Sequence, residues 1–250
     1  MSVENIVEEF GKEFGEEIKK EIGETSQKDV LDYLNGHEKT QVWENYKVED
    51  PTSEQYKQFN RFVQILSTKN LGEEQLKKIT TAYFNPLVQE LANTYENNAF
   101  HNESSVLGHT MDVFEYVVEN SSETDLDLYV AALFHDVGKI VTMEEKNGQT
   151  RSIKHDKRGE EILGANQGEL ENICDNPDRV TYLVGAHMEP LNLYNSKNES
   201  KNPEKTINKA LNKWGEYKED ILKLSEADIC KSEKYEAIKD FYDNDLRKRD

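Results

Sequence analysis

Apolar residues recur every three or four positions along most of this chain, a spacing that predicts amphipathic α-helices. The first predicted helix spans residues 3–21. Another is predicted to begin near Thr52, which together with Gln55 matches the pattern of a capping box. Residues 73–98 carry a further helical pattern, and we expect it to break near Pro86 because proline cannot continue a helix.

The carboxyl-terminal part of the chain continues the helical pattern. Helices are predicted over residues 204–217 and 219–231, and a last one begins around Tyr235. The polar stretch 195–205 predicts a flexible loop. Strand patterns are scarce. The one place where we expect strands is around the turn-forming pair Asn147–Gly148, which lies in a short hairpin or a plain loop. The pattern as a whole predicts an all-α protein.

An adjacent His135 and Asp136 end the apolar run 130–134 and are the most informative residues in the chain. Both residue types bind metal ions, but neighbouring side chains leave a helix about 100° apart. The two can therefore reach one cation only where the helix end loosens. We expect Gly138, two residues further on, to allow this.

Other candidate ligands lie in separate segments. The imidazole of His109 shares an apolar helix face with Val106 and Val113, and Asp228 stands between apolar neighbours. A buried carboxylate is costly unless it is paired or coordinates a metal. The further candidates in the chain are His109, His155, His187 and Asp228.

A single histidine on an apolar helix face is more often a hydrogen-bonded core residue than a metal ligand. The adjacent pair His135–Asp136, together with four more histidine and aspartate side chains on separate predicted helices, favours a metal centre instead. Their nitrogen and oxygen donors suit Mn, Fe, Ni, Zn or Mg.

The order of four of these residues resembles the ligand pattern of the HD-domain metal-dependent phosphohydrolases. They are His109, His135, Asp136 and Asp228. The segment Leu-Phe-His-Asp-Val-Gly-Lys at 133–139 is similar to the core signature of that family. His155 and His187 fall where its two-metal branch has additional histidines, as in two-metal HD phosphodiesterases. The segment from Ala99 to Thr110 also resembles the HD domains attached to bacterial tRNA nucleotidyltransferases.

The resemblance implies a helical HD-domain bundle over residues 99–250, with an additional helical amino-terminal region over 1–98. That region is a cap, a partner surface or more of the same core, and the sequence does not choose between these. The resemblance also implies two divalent ions, with Mn, Fe, Ni and Mg as candidates.

The resemblance further implies a role for each ligand. Asp136 would bridge the two ions, with His155 and His187 on one of them. The other ion would be held by His109, His135 and Asp228. As the signature lysine of the family, Lys139 would be a catalytic residue that stabilises charge on the phosphoryl oxygens.

Acidic residues outnumber basic ones, 50 to 31, for a net charge of −19. This balance argues against broad binding to nucleic-acid backbones, which depends on clustered cations. A small anionic phosphoester, such as a nucleotide, fits better. The segment 139–158 carries a local excess of positive charge, which includes Lys157 and Arg158, but only Lys139 has the support of the family pattern.

The expected activity is metal-dependent hydrolysis of a phosphomonoester or phosphodiester in a nucleotide or short oligonucleotide. Two alternatives are a di-iron HD-type oxygenase and a non-catalytic binding module that a metal stabilises. No stretch approaches the roughly 20 apolar residues of a membrane span. The acidic amino terminus also lacks the pattern of a signal peptide, so we expect a cytoplasmic protein with no membrane contact. The oligomeric state is left open.

Overall fold

Helices dominate residues 54–97, 104–197 and 201–249, the parts of the chain that the computed structural model describes. In chain order the α-helices are α1 (Glu54–Ser67), α2 (Glu73–Tyr83), α3 (Pro86–Glu90), α4 (Val106–Glu119), α5 (Leu126–Phe134), α6 (Lys139–Thr142), α7 (His155–Ala165), α8 (Gln167–Leu170), α9 (Pro177–Ala186), α10 (Glu189–Ser196), α11 (Pro203–Trp214), α12 (Lys218–Asp228) and α13 (Tyr235–Phe241). A 3₁₀ turn (Gly215–Tyr217) precedes α12, and a π-helical segment (Tyr242–Arg247) continues α13. The all-α fold class predicted from the sequence is confirmed.

In the described parts of the chain, four short strands form two antiparallel pairs. Strand β1 (Tyr95–Glu96) pairs with β2 (Ser104–Ser105). The hairpin of β3 (Met143–Lys146) and β4 (Gln149–Ser152) turns at Asn147 and Gly148, whose φ angles of 56° and 74° suit a type I′ turn.

The core surrounds α5, in which every residue is buried. Its run of apolar side chains leaves no polar face, as expected of a helix covered on all sides. Helices α4, α9 and α12 pack against α5, and α7 packs against α9. Helices α1 to α3 cover α4 and α5, where the ring of Phe62 stacks on that of Tyr83 at 4.2 Å and lies 5.6 Å from that of Phe114.

The amino-terminal predictions are confirmed in part. The helix expected after Pro51 is α1, whereas the predicted helix 3–21 and the capping residue Thr52 lie outside the described residues. The break near Pro86 is confirmed, because α2 ends at Tyr83 and the side chain of Asn85 accepts a hydrogen bond from the backbone N–H of Leu87 to begin α3.

Two sequence predictions in this region are wrong. Helix α3 ends at Glu90, and the chain turns into β1 instead of staying helical to residue 98. The hairpin at Asn147–Gly148 is confirmed, but β1 and β2 are additional strands. A two-residue strand is too short to show the alternation by which strands are recognised.

The carboxyl-terminal helices lie close to their predicted positions. The helix predicted over 204–217 ends at Trp214, since Gly215 has a φ of +54°. The polar loop is narrower than predicted, because α10 extends to Ser196 and α11 begins at Pro203. The division between residues 98 and 99 stays a prediction. Among the described residues, no helix has the length and apolar character needed to cross a membrane.

Candidate metal centre

All six candidate ligands come together at the centre of the bundle. His109 lies on α4, His135 and Asp136 directly follow α5, and His187 directly follows α9. His155 is the first residue of α7, and Asp228 is the last residue of α12. Their ligand atoms form two groups, each within 4.8 Å, that share Asp136.

The first group consists of His109, His135, Asp136 and Asp228. His109 Nε2 lies 2.8 Å from Asp228 Oδ1 and 3.6 Å from Asp136 Oδ2. His135 Nε2 lies 3.1 Å from Asp136 Oδ2 and 3.7 Å from Asp228 Oδ1. Two imidazole nitrogens and two carboxylate oxygens thus lie within 4.8 Å of one another, close enough to hold one cation.

The second group consists of Asp136, His155 and His187. His155 Nε2 lies 3.3 Å from Asp136 Oδ1 and 3.2 Å from His187 Nε2. Asp136 therefore presents its two oxygens to different groups, Oδ2 to the first and Oδ1 to the second.

Backbone carbonyls fix the orientation of three imidazoles. The Nδ1–H groups of His135, His155 and His187 donate to the carbonyls of Ala132, Ser152 and Val184 at 2.8, 2.9 and 2.7 Å. A carbonyl can only accept, so this contact places the proton on Nδ1 and leaves Nε2 as the ligand atom. Such outer contacts are typical of metal-binding histidines.

The helix end at His135 loosens as the sequence predicts, but the role of Gly138 differs from the prediction. Helix α5 ends at Phe134, and Gly138 has an ordinary right-handed conformation with φ of −63°. A Cβ at Gly138 would lie 2.7 Å from Gly159 N and 2.8 Å from the carbonyl carbon of His155. The glycine is therefore needed for close approach, which brings His155 next to Asp136.

The electrostatics of the protein groups suit a cation. Burial would raise the pKa of the Asp136 carboxyl, but His135 and Lys139 outweigh it and hold this pKa well below its usual range. Burial likewise opposes ionisation of Asp228, whose pKa is lowered by His109 and His135. Both carboxylates therefore stay charged.

The histidines differ in their preferred charge. Burial and the neighbouring His155 lower the pKa of His187, so its imidazole is neutral, as a ligand must be. Burial alone would lower the pKa of His135, but Asp136 and Asp228 outweigh it and raise this pKa to about 10. A proton on His135 therefore occupies the place where a metal ion would sit.

Asp136 gives the most direct test of whether these residues fit metal ions. Both of its carboxylate oxygens are buried, and within the described residues neither accepts a hydrogen bond of good geometry. Lys139 Nζ forms an ion pair with Oδ2 at 2.8 Å. A buried carboxylate that lacks hydrogen bonds is costly unless a cation compensates it. The nitrogen and oxygen donors of the cluster fit metal binding, and so does the lack of hydrogen bonds to the Asp136 carboxylate.

Comparison with known families agrees with this chemistry. The family model of the HD domain matches residues 106–237, more than half of the 250-residue chain. This chain belongs to the HD-domain family. It is therefore a member of the superfamily of HD-domain metal-dependent phosphohydrolases, as the sequence resemblance implies. All six ligand candidates lie within the matched residues. No curated protein matches the chain.

In this HD domain Lys139 lies beside the ligand cluster. It is 6% exposed, and its ammonium contacts Asp136 Oδ2 at 2.8 Å and Glu96 Oε2 at 3.0 Å. The two carboxylates outweigh the effect of burial and raise the pKa of Lys139 above its ordinary value. Lys139 is therefore a permanent cation within reach of the metal centre.

Glu96 is the residue at this site that the sequence prediction missed. It lies on β1, within a segment that was predicted to be helical, and it is 4% exposed. The motif spacing gives no signal for it. The one available clue is that a buried Lys139 requires a negative partner.

Two other basic residues of segment 139–158, Lys157 and Arg158, are paired away from the cluster. Lys157 Nζ contacts Glu160 at 3.3 Å and Glu189 at 3.2 Å, while Arg158 pairs with Glu161 at 2.5 Å. These contacts fit the expectation that Lys139 alone among them has a functional role. The remaining histidines, His37 and His101, lie outside the described residues.

Proposed function

We propose that this HD-domain protein hydrolyses a phosphoester of a nucleotide or short oligonucleotide with a metal-activated water. The observation that carries the proposal is the pair of buried Asp136 oxygens, each facing a separate group of ligand atoms. This arrangement supports a centre of two divalent ions, for which Mn, Fe, Ni and Mg suit the nitrogen and oxygen donors.

Each residue of the cluster has a proposed role at this centre. His109, His135 and Asp228 would hold one ion, and His155 and His187 would hold the other. Asp136 would contribute one oxygen to each ion, because its Oδ2 lies 3.1 Å from His135 Nε2 and its Oδ1 lies 3.3 Å from His155 Nε2.

Divalent ions held in this way would supply a water nucleophile near neutral pH and offset the charge that develops on the phosphate. The side chains of the protein would position the ions, and Lys139 adds a positive charge beside them. The ammonium of Lys139 has three donors, and two of them face Asp136 and Glu96. The third can stabilise a phosphoryl oxygen, as the role of a catalytic lysine requires.

Exposure within the cluster indicates the direction from which substrate approaches. The side chains of His135 and Asp136 are at most 1% exposed, whereas those of His109, His155 and Asp228 are 6%, 11% and 13% exposed. Such limited exposure of the cluster favours a small phosphoester or a flexible end as substrate. The net charge of −19 also disfavours long polyanions.

The experiment is hydrolysis of a panel of nucleotide monophosphates, cyclic nucleotides and generic phosphodiesters with Mn²⁺ added. Wild type is compared with Asp136→Asn, which keeps the shape of the side chain but removes its charge. The control is Asp175→Asn, the same change at an exposed carboxylate that pairs with Lys78. We expect Asp136→Asn to lower kcat/KM at least about 100-fold. Changes to residues that only hydrogen-bond the ligands already weaken metal affinity or activity about 10-fold to 100-fold.

Equal activity of Asp136→Asn and wild type would overturn the proposal, as would wild type that hydrolyses no ester of the panel. In the second case, iron-dependent oxygen consumption would indicate the oxygenase. Metal binding without any turnover would indicate the binding module.

A further inference from the structure

One buried carboxylate at the metal centre is not a ligand in either group. Glu96 Oε2 lies 3.0 Å from Lys139 Nζ, and the two side chains are 5% and 7% exposed. Lys139 Nζ also lies 2.8 Å from Asp136 Oδ2. A buried ammonium is thus held between the carboxylate that faces both ligand groups and a second carboxylate behind it.

Backbone pairing fixes Glu96 relative to the ligands. Glu96 pairs with Ser104 in the β1–β2 ladder, and β2 leads directly into α4, the helix that carries His109. The carbonyl of the next residue, Asn97, accepts a hydrogen bond at 2.9 Å from Thr150 N on β4, the strand whose Ser152 carbonyl accepts from His155 Nδ1. The strand pair missed by the sequence prediction therefore connects Glu96 to both halves of the centre.

Bound cations would create a problem for Lys139. An ammonium 2.8 Å from Asp136 Oδ2 competes for that oxygen with any metal ion and is repelled by a cation that takes the oxygen. Because Lys139 is buried, water cannot screen this repulsion effectively. A negative charge on the far side of the ammonium is needed to keep it in place.

We propose that Glu96 is a positioning residue that holds the Lys139 ammonium at the metal centre and offsets its charge, so that metal ions and the lysine can occupy the site together. This inference rests on the metal centre of the proposed function. It gives Glu96 a role through Lys139, without contact to substrate.

A purely structural role for Glu96 predicts a different pattern of metal binding. If Glu96 only helped the chain to fold, removing either partner would loosen the site and weaken metal binding. If the charges balance each other, the two single variants change metal affinity in opposite directions. Removal of both the Glu96 and the Lys139 charge then restores the metal affinity of wild type.

The experiment measures the dissociation constant for Mn²⁺ by calorimetry on the full chain at mildly alkaline pH. We expect Glu96→Gln to raise this constant about 10-fold, the lower end of the range for outer contacts of metal sites. We expect Lys139→Met to lower it, because the competing ammonium is gone. The double variant is expected to return to within about 3-fold of wild type, by the same charge balance.

The control is Glu144→Gln, which changes the net charge equally at an exposed carboxylate paired with Arg151. It should leave the dissociation constant unchanged. Thermal unfolding of each variant checks that the fold persists. A kinetic measurement adds a second criterion: Glu96→Gln should lower kcat/KM in the wild-type background and have no further effect in the Lys139→Met background.

The inference is overturned if Glu96→Gln binds Mn²⁺ as tightly as wild type, or if both single variants and the double variant all bind more weakly. The metal-binding result is separate from the proposed activity. A wild type that binds Mn²⁺ and shows the opposite shifts, but hydrolyses no ester, would support the role of Glu96 and contradict the proposed function. A wild type that binds no Mn²⁺ would overturn both.

Discussion

Two oxygen atoms of one residue, Asp136, connect the halves of the proposed centre. Oδ2 faces His109 and His135, while Oδ1 faces His155. A carboxylate suits this position because each of its oxygens can bind a different ion. Within the described residues neither buried oxygen of Asp136 accepts a hydrogen bond of good geometry, so the charge of this carboxylate depends on neighbouring cations.

A second charged residue, Asp125, gives a test of the fold away from the metal centre. Its side chain accepts a hydrogen bond from Leu128 N at 3.1 Å to begin α5, and it contacts Arg179 Nη1 at 2.9 Å. Asp125→Asn preserves the helix cap but removes the charge. We expect it to lower the free energy of unfolding at neutral pH by about 1.5 to 3 kcal/mol, the usual contribution of a hydrogen bond to a charged group.

The pH dependence of this effect has a definite sign. Burial would raise the pKa of Asp125, but Arg179 and Leu128 N outweigh it and lower the pKa. A lowered pKa in the folded state gives stability that is present above the unfolded pKa, about 3.9, and is lost as pH falls below it. Urea unfolding across acid pH should therefore show a steeper loss for wild type than for Asp125→Asn. Equal slopes of the free energy of unfolding against pH would contradict this account. The control is Asp178→Asn, the same change at an exposed carboxylate.

The candidate ligands could be predicted from the sequence because most of them are polar residues in apolar segments. His155 stands in a charged segment and was found through the HD-domain pattern alone. Glu96 could not be predicted in this way. Its segment has helical spacing, and nothing in the order of residues links it to Lys139, which is 43 positions away.

At the scale of elements, the ends of helices build the site. Helices α5, α9 and α12 contribute candidate ligands at or just after their last residues, and α7 contributes His155 at its first. Helix ends converge on this centre because α7 packs against α9, and both α9 and α12 pack against α5. Helical periodicity predicts these elements, but it does not predict how closely they approach one another.

The closest of these approaches gives a second test. Gly138→Ala would place a Cβ 2.7 Å from Gly159 N, so the α6–α7 contact must open. We expect a loss of about 1 to 3 kcal/mol in the free energy of unfolding, as for other overpacked sites. Because His155 lies at this contact, binding of the second ion should weaken more than that of the first.

The matched control is Gly164→Ala on α7, the helix that Gly138 approaches, where an added Cβ meets no atom within 4 Å. It should stabilise the protein by up to about 1 kcal/mol, since alanine is the better helix former. Denaturant unfolding and Mn²⁺ titration measure both effects. Similar behaviour of the two variants would show that close approach at Gly138 is unimportant.

At the scale of the whole molecule, one apolar core encloses a charged centre. The core residues extend from Phe62 on α1 to Leu246 after α13. Within the described residues the amino-terminal helices α1 to α3 pack directly on α4 and α5, two of the helices that position ligands. Composition and helical pattern predict the all-α class, whereas the pairing of helices depends on contacts between residues far apart in the chain.

The central claim is that six side chains form a two-ion centre bridged by Asp136. Its most direct test is the number of Mn²⁺ ions bound per chain, measured by equilibrium dialysis of wild type, His187→Ala and Asp136→Asn. The account predicts two ions for wild type, one for His187→Ala, because the first group stays complete, and no tightly bound ion for Asp136→Asn. A single ion in wild type, or two ions retained by either variant, would contradict it.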